Sequence, residues 1–109
     1  MIIIPFVNYP FFRESLTIDN VTYVFEFLWN HRGEYWVLNV FDNNNVLLIA
    51  GVKVVLEFDV LKRYSKVSLP LGVMLAIRKN SNSKEKIDKD EMGNTVNLIY
   101  ITESEYVSI

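Results

Sequence analysis

From Val21 to Trp29 an aromatic ring recurs at every second position: Tyr23, Phe25, Phe27 and Trp29. Successive side chains of a strand point to opposite faces, so this spacing predicts a strand with one continuous aromatic side. Asn30-His31-Arg32-Gly33 follows as a turn, its glycine free to take a positive φ. Trp36, Leu38 and Val40 then resume the alternation. A four-residue loop pairing Trp29 with Glu34 sets Phe27 against Trp36, Phe25 against Leu38 and Tyr23 against Val40, so that an aromatic face meets an apolar one. Asp42-Asn43-Asn44-Asn45 supplies a second turn, since Asn tolerates left-handed backbone. It pairs Phe41 with Val46, lays Leu47 and Ile49 beside Val40 and Leu38, and sets Gly51 opposite Trp36. The predicted core is thus Tyr23, Phe25, Phe27, Trp36, Leu38 and Ile49 on a three-stranded meander.

The flanking chain continues in short strands. Ile2–Ile4 reads as a strand stopped by Pro5, and Asn8-Tyr9-Pro10 as a turn. Phe11–Ile18 predicts a strand with Phe12, Glu14, Leu16 and Ile18 on one side, and Asp19-Asn20 a tight hairpin into the meander. Val52–Leu56, Val73–Ile77 and Asn97–Ile101 are further strands. Asp59 is placed to cap one helical turn over Val60–Tyr64, and Leu69-Pro70-Leu71-Gly72 is a turn. Residues 79–95 form a long polar loop, with a short turn at Asp88–Met92 closed by Gly93, and residues 102–109 a tail. The expected fold is all-β and a single domain over residues 1–109. It is a small antiparallel β-sandwich or a partly open barrel, with one short helical turn.

Composition narrows the function. The chain has 109 residues, half of them hydrophobic and 14% aromatic, which excludes wholesale disorder. A net charge of −2 opposes nucleic-acid binding through phosphates. With no cysteine there is neither a disulfide framework nor a thiolate metal site. The apolar start lacks the basic residues of a signal peptide, and no run approaches the length of a membrane span, so no membrane partner is expected. The single histidine, His31, sits at a predicted hairpin tip without an orienting partner, the glycines form no phosphate-binding loop, and the serines lack a nucleophile elbow. Asp88, Asp90 and Glu91 do not follow calcium-loop spacing. No catalytic residue, cofactor or metal is expected, and the chain reads as a non-enzyme.

The reverse side of the meander carries more information. Val24, Leu28, Val37, Phe41, Val46 and Leu48 make it apolar too, whereas a lone antiparallel sheet keeps one side polar. A second layer or a partner protein must cover it. Leu28 and Phe41 are the interface candidates on that side, and Tyr106 and Ile109 those in the tail, since an extended terminus can add to a sheet edge; the alternative for the tail is an ordinary frayed terminus.

A succession of short motifs now matters. Asp19-Asn20-x-x-Tyr23 is followed by Leu28-Trp29-Asn30-x-Arg32, Trp36-x-Leu38 and Leu47-Leu48-x-Ala50-Gly51. Asp59-x-Leu61-x-Arg63-Tyr64, Leu69-Pro70-x-Gly72, Asp90-Glu91-Met92-Gly93 and Leu98-x-Tyr100 complete it. In this order they resemble the small plug proteins of contractile-tailed bacteriophage baseplates. Asp19-Asn20 and Asn43–Asn45 stand where that family often has Asp-Gly, which keeps the turn chemistry. The resemblance implies an all-β virion component, made in the bacterial host cytoplasm, that packs at the baseplate centre against hub or spike proteins and helps close the tail tube. A homo-oligomer within the baseplate is compatible with it. The competing reading is a small-ligand-binding β-barrel with the aromatic face as its pocket, and a third is an enzyme of unrecognised type.

Overall fold

A computed structural model describes residues 2–7, 9–18, 20–61, 72–79 and 86–102. Seven strands follow one another along them: β1 (Ile2–Ile3), β2 (Phe11–Ile18), β3 (Val21–Asn30), β4 (Tyr35–Asp42), β5 (Leu47–Lys53), β6 (Val73–Arg78) and β7 (Val96–Ile101). They form two antiparallel sheets, one of four strands in the order β2-β3-β4-β5 and one of three in the order β1-β7-β6. The sheets make a β-sandwich; neither closes into a barrel, and no helix occurs among the described residues.

Alternation puts the six predicted core residues inside. Phe25, Phe27 and Leu38 are wholly buried, and Tyr23, Trp36 and Ile49 nearly so. The three-stranded sheet meets them with Met74, Ala76, Val96, Leu98 and Tyr100. Phe6, just after Pro5, is the wedge between the layers. Its ring lies 4.8 Å from Phe12, 4.9 Å from Phe27 and 4.8 Å from Trp36. The aromatic side of the meander is therefore filled by the protein's own rings, which removes the pocket that a small-ligand barrel requires.

The first meander hairpin differs in register from the sequence expectation by two residues. Phe27 pairs with Leu38, Phe25 with Val40, and Trp29 with Trp36, with Asn30 and Tyr35 as the closing pair. Asn30 decides this. Its carbonyl accepts the Glu34 N–H at 2.7 Å and its Oδ1 accepts the Gly33 N–H at 2.9 Å, so the loop is 31–34 rather than 30–33. Glu34, not Gly33, takes the left-handed conformation, with φ of 59°. Gly33 is needed for space instead: a Cβ there would come within 2.1 Å of the Tyr35 ring.

The second hairpin also departs from expectation. Asp42 Oδ1 accepts the N–H groups of Asn44 and Val46, and Asn45 is left-handed at φ 63°. Phe41 pairs with Leu47 rather than Val46, Val40 with Ile49, and Leu38 with Val52. The ladder slips twice: once between Val52 and Ile49, where Gly51 takes a φ of +73° that glycine adopts freely, and once at Leu48, between Ile49 and Leu47. Gly51 is consequently exposed instead of facing Trp36, and its N–H donates to Asn39 Oδ1 at 2.8 Å. Val52 and Lys53 close β5 instead of starting another strand; of the expected strand's remainder, the Val54 N–H donates to the Trp36 carbonyl at 3.0 Å and Leu56 forms an isolated parallel bridge to Ala76.

Two further segments refine the expectation. Asp59 Oδ1 accepts the Leu61 N–H at 3.0 Å and the Met74 N–H at 3.1 Å, tying the β5–β6 connection to the second sheet. The rest of the expected helical turn and the Leu69–Leu71 turn lie outside the described residues. In the long loop, residues 86–95 are not a solvated appendage, because Ile87 and Met92 enter the core. Glu91 anchors this half. It pairs with the Arg78 guanidinium, accepts the Asp88 N–H at 3.0 Å and accepts the Thr95 hydroxyl at 3.0 Å.

Candidate interaction surface

Among the described residues, the outer face of the four-stranded sheet is turned away from the three-stranded sheet and keeps apolar side chains exposed. Strand register arranges it in rows. One row runs Phe11, Leu28, Val37, Lys53; the next Arg13, Glu26, Asn39; the third Ser15, Val24, Phe41, Leu47. Two mainly apolar rows thus flank a polar one. Phe11 and Leu47 are exposed at 53% and 51%, while Val24, Leu28, Val37 and Phe41 are half-buried by one another.

The polar row is internally satisfied. Glu26 is only 7% exposed, and its two oxygens accept from Arg13 Nε at 2.6 Å and Asn39 Nδ2 at 2.8 Å. A buried carboxylate needs such partners, since an unpaired one would bear its full desolvation cost. The Arg13 guanidinium also lies 4.7 Å over the Phe41 ring and donates to Asn45 Oδ1 at 3.3 Å. At the next corner Lys53 Nζ lies 4.7 Å over the Tyr35 ring. These contacts hold Arg13, Glu26, Asn39 and Lys53 in place, which lowers the side-chain ordering that docking on the face requires.

Of the interface residues expected from sequence, Leu28 and Phe41 are both on this face, in different rows. Tyr106 and Ile109 lie outside the described residues. Val46 and Leu48 were expected here as well. The Phe41–Leu47 pairing leaves Val46 exposed in the turn, brings Leu47 to the outer face and packs Leu48 against the core. Sequence reasoning missed Phe11 and Leu47 and the hydrogen-bonded Arg13–Glu26–Asn39 row, of which Glu26 is the buried member. The signal available for the row was Glu26 standing between Val24 and Leu28 on the even positions of β3.

Other sites are sparse. His31 is exposed in the hairpin turn. Glu91, considered above for a calcium site, is committed to Arg78, which holds its carboxyl down at about 2 with help from the Asp88 N–H. Among the described residues no cluster of potential metal ligands occurs, and no helix is long and apolar enough to cross a membrane. A cleft of about 180 Å³ lies between the first hairpin tip and the 86–95 segment, bordered by Tyr35, Lys53, Val54 and Ile87, with Lys86 and Glu34 paired across its mouth.

The family model described as cyanophage baseplate Pam3 plug gp18 matches residues 1–103, nearly the whole chain, and the chain belongs to that family. No curated protein matches it. Membership makes the chain a structural plug component of a phage tail baseplate, a part of the virion that meets other baseplate components.

Proposed function

We propose that this baseplate plug protein works by contact alone, packing at the hub and tail-tube centre with the outer face of its four-stranded sheet turned toward a hub or spike protein. The observation that carries the reading is the pair of apolar rows held on either side of the satisfied Arg13–Glu26–Asn39 row. Specific protein interfaces bury roughly 1,200–2,000 Å² and rest on a few apolar or aromatic anchors inside a polar surround. Phe41 and Leu28 are the anchors, with Phe11 and Leu47 widening the patch. Tyr106 and Ile109 are the second contact, supplied by the tail. Residues 1–109 act as one domain without catalysis or cofactor. The protein is made in the host cytoplasm and assembled there, and copies of it can meet within the baseplate.

The test is co-purification with the hub protein of the same baseplate. Phe41 is half-buried on the outer side of the sheet, so Phe41→Glu should keep the circular dichroism spectrum of the wild type while losing the hub protein. Unfolding of the variant would place Phe41 in the structural core. A folded variant that still co-purifies would remove the outer face from the interface.

A further inference from the structure

The inner side of β2 reads Phe12, Glu14, Leu16, Ile18, three apolar residues and one acid. Glu14 lies across the ladder from Phe25, which is wholly buried. Its Oε1 is inaccessible to water and has no hydrogen-bond partner. The charged groups nearest in register, Arg13 and Glu26, lie on the opposite face and engage each other. A buried polar atom left unmatched in a folded protein calls for a physical reason. Desolvation raises the Glu14 carboxyl to about 7, which records how poorly the free protein accommodates the charge.

The position of the strand supplies that reason. β2 ends the strand order of its sheet, so along its eight residues every second one turns its backbone N–H and C=O outward with no described strand beside it. An inward-pointing charge on such a strand guards it against indiscriminate pairing. The same charge selects: a strand carrying an apolar or acidic residue beside Glu14 leaves the carboxylate unpaired or repelled, whereas a basic residue satisfies it. A second copy of β2 is a poor occupant, because its inner positions hold an acid and no base.

We propose that the outer edge of β2 receives an extended segment of a neighbouring baseplate protein, whose lysine or arginine closes on the Glu14 carboxylate. This inference rests on the plug reading above. The edge strand supplies backbone hydrogen bonds, and Glu14 supplies the choice of partner.

The experiment titrates the hub protein of the same baseplate against wild type, Glu14→Gln and Glu14→Asp, with urea unfolding of each free protein. Glu14→Gln should unfold at higher urea than wild type and bind the hub protein at least ~10-fold more weakly, while Glu14→Asp, which keeps the charge, binds within a few-fold of wild type. Unchanged binding by Glu14→Gln would overturn the inference and leave Glu14 as a guard of the edge only. A Glu14→Gln protein that is less stable than wild type would overturn it too, since the carboxylate would then already be matched in the free chain. Failure of the wild type itself to bind the hub protein would instead strike the plug-to-hub contact of the preceding section.

Discussion

Trp29 and Trp36 face each other across the β3–β4 ladder, with ring centroids 5.4 Å apart and planes at 65°. Trp36 is the buried member at 2% exposure, and its other neighbours are Phe6 and Phe12. Because it joins the meander, the N-terminal segment and β2, its loss loosens all three. Trp36→Ala should cost about 3–5 kcal/mol, a large share of a small domain's stability. Urea unfolding followed by circular dichroism would read this as a strongly lowered midpoint, and an unchanged midpoint would contradict the packing.

The Trp29–Trp36 pair also explains what alternation could and could not convey. A period-two pattern names the buried residues, and Tyr23, Phe25 and Phe27 follow it. It cannot separate registers that differ by two, because a two-residue slip leaves every side chain on the same face. The deciding contacts were local, from Asn30 to Gly33 and Glu34, and turn chemistry at that level was ambiguous between loops 30–33 and 31–34. At Gly51 the alternation itself breaks, and the glycine that marks the break reads equally well as a small residue facing a tryptophan. The outer face was legible through Leu28 and Phe41. Phe11 and Leu47 were not, since one adjoins Pro10 and the other depends on the irregular ladder of β5. Glu14 stood out in the sequence only as an acid in an apolar row, with no means of telling whether it was paired.

Ile87 tests whether the second half of the long loop belongs to the scaffold. It is 6% exposed and shares the core with Met92, although both sit in a run that is otherwise polar. Ile87→Ala should cost about 2–4 kcal/mol by opening a cavity, whereas a change in a solvated loop stays within about 0.5 kcal/mol. A neutral result in thermal unfolding would return residues 86–95 to the periphery. By the same logic, trypsin cleavage after Lys86 or Lys89 should be slow, because cutting there requires Ile87 and Met92 to leave the core.

Glu14 gives stability a pH dependence of definite sign. Its carboxyl is raised from 4.5 to about 7 by burial, so between those values the folded chain binds more protons than the unfolded one. Stability therefore falls as pH rises from about 4.5 to about 7, and levels off above. The surrounding side chains on its face, Phe12, Leu16 and Phe25, carry no charge to offset this. Glu14 is half-exposed, so solvent screening limits the change to about 1 kcal/mol. Urea midpoints at pH 5 and pH 7.5 should differ in wild type and converge in Glu14→Gln. A wild-type midpoint that rises over this interval would have the wrong sign.

Glu91 acts in the opposite direction. Hydrogen bonding from Arg78, chiefly, holds its carboxyl down from 4.5 to about 2. The stability it confers is present above about 4.5 and is lost as pH falls from there toward 2. With Glu14 acting above that range, the summed contribution of these two groups is greatest near pH 4.5–5. The partner makes the loss severe: the Arg78 side chain is 6% exposed, and removing its anion leaves a buried guanidinium uncompensated. Glu91→Gln should therefore cost about 3 kcal/mol. The Lys86–Glu34 pair provides the contrast, since its side chains are 51% and 61% exposed. Glu34→Gln should change stability by no more than about 0.5 kcal/mol, and that small change should shrink further in high salt. Equal losses in the two variants would mean that the Arg78–Glu91 pair is as solvated as the surface one, and that the 86–95 segment is held by Ile87 and Met92 alone.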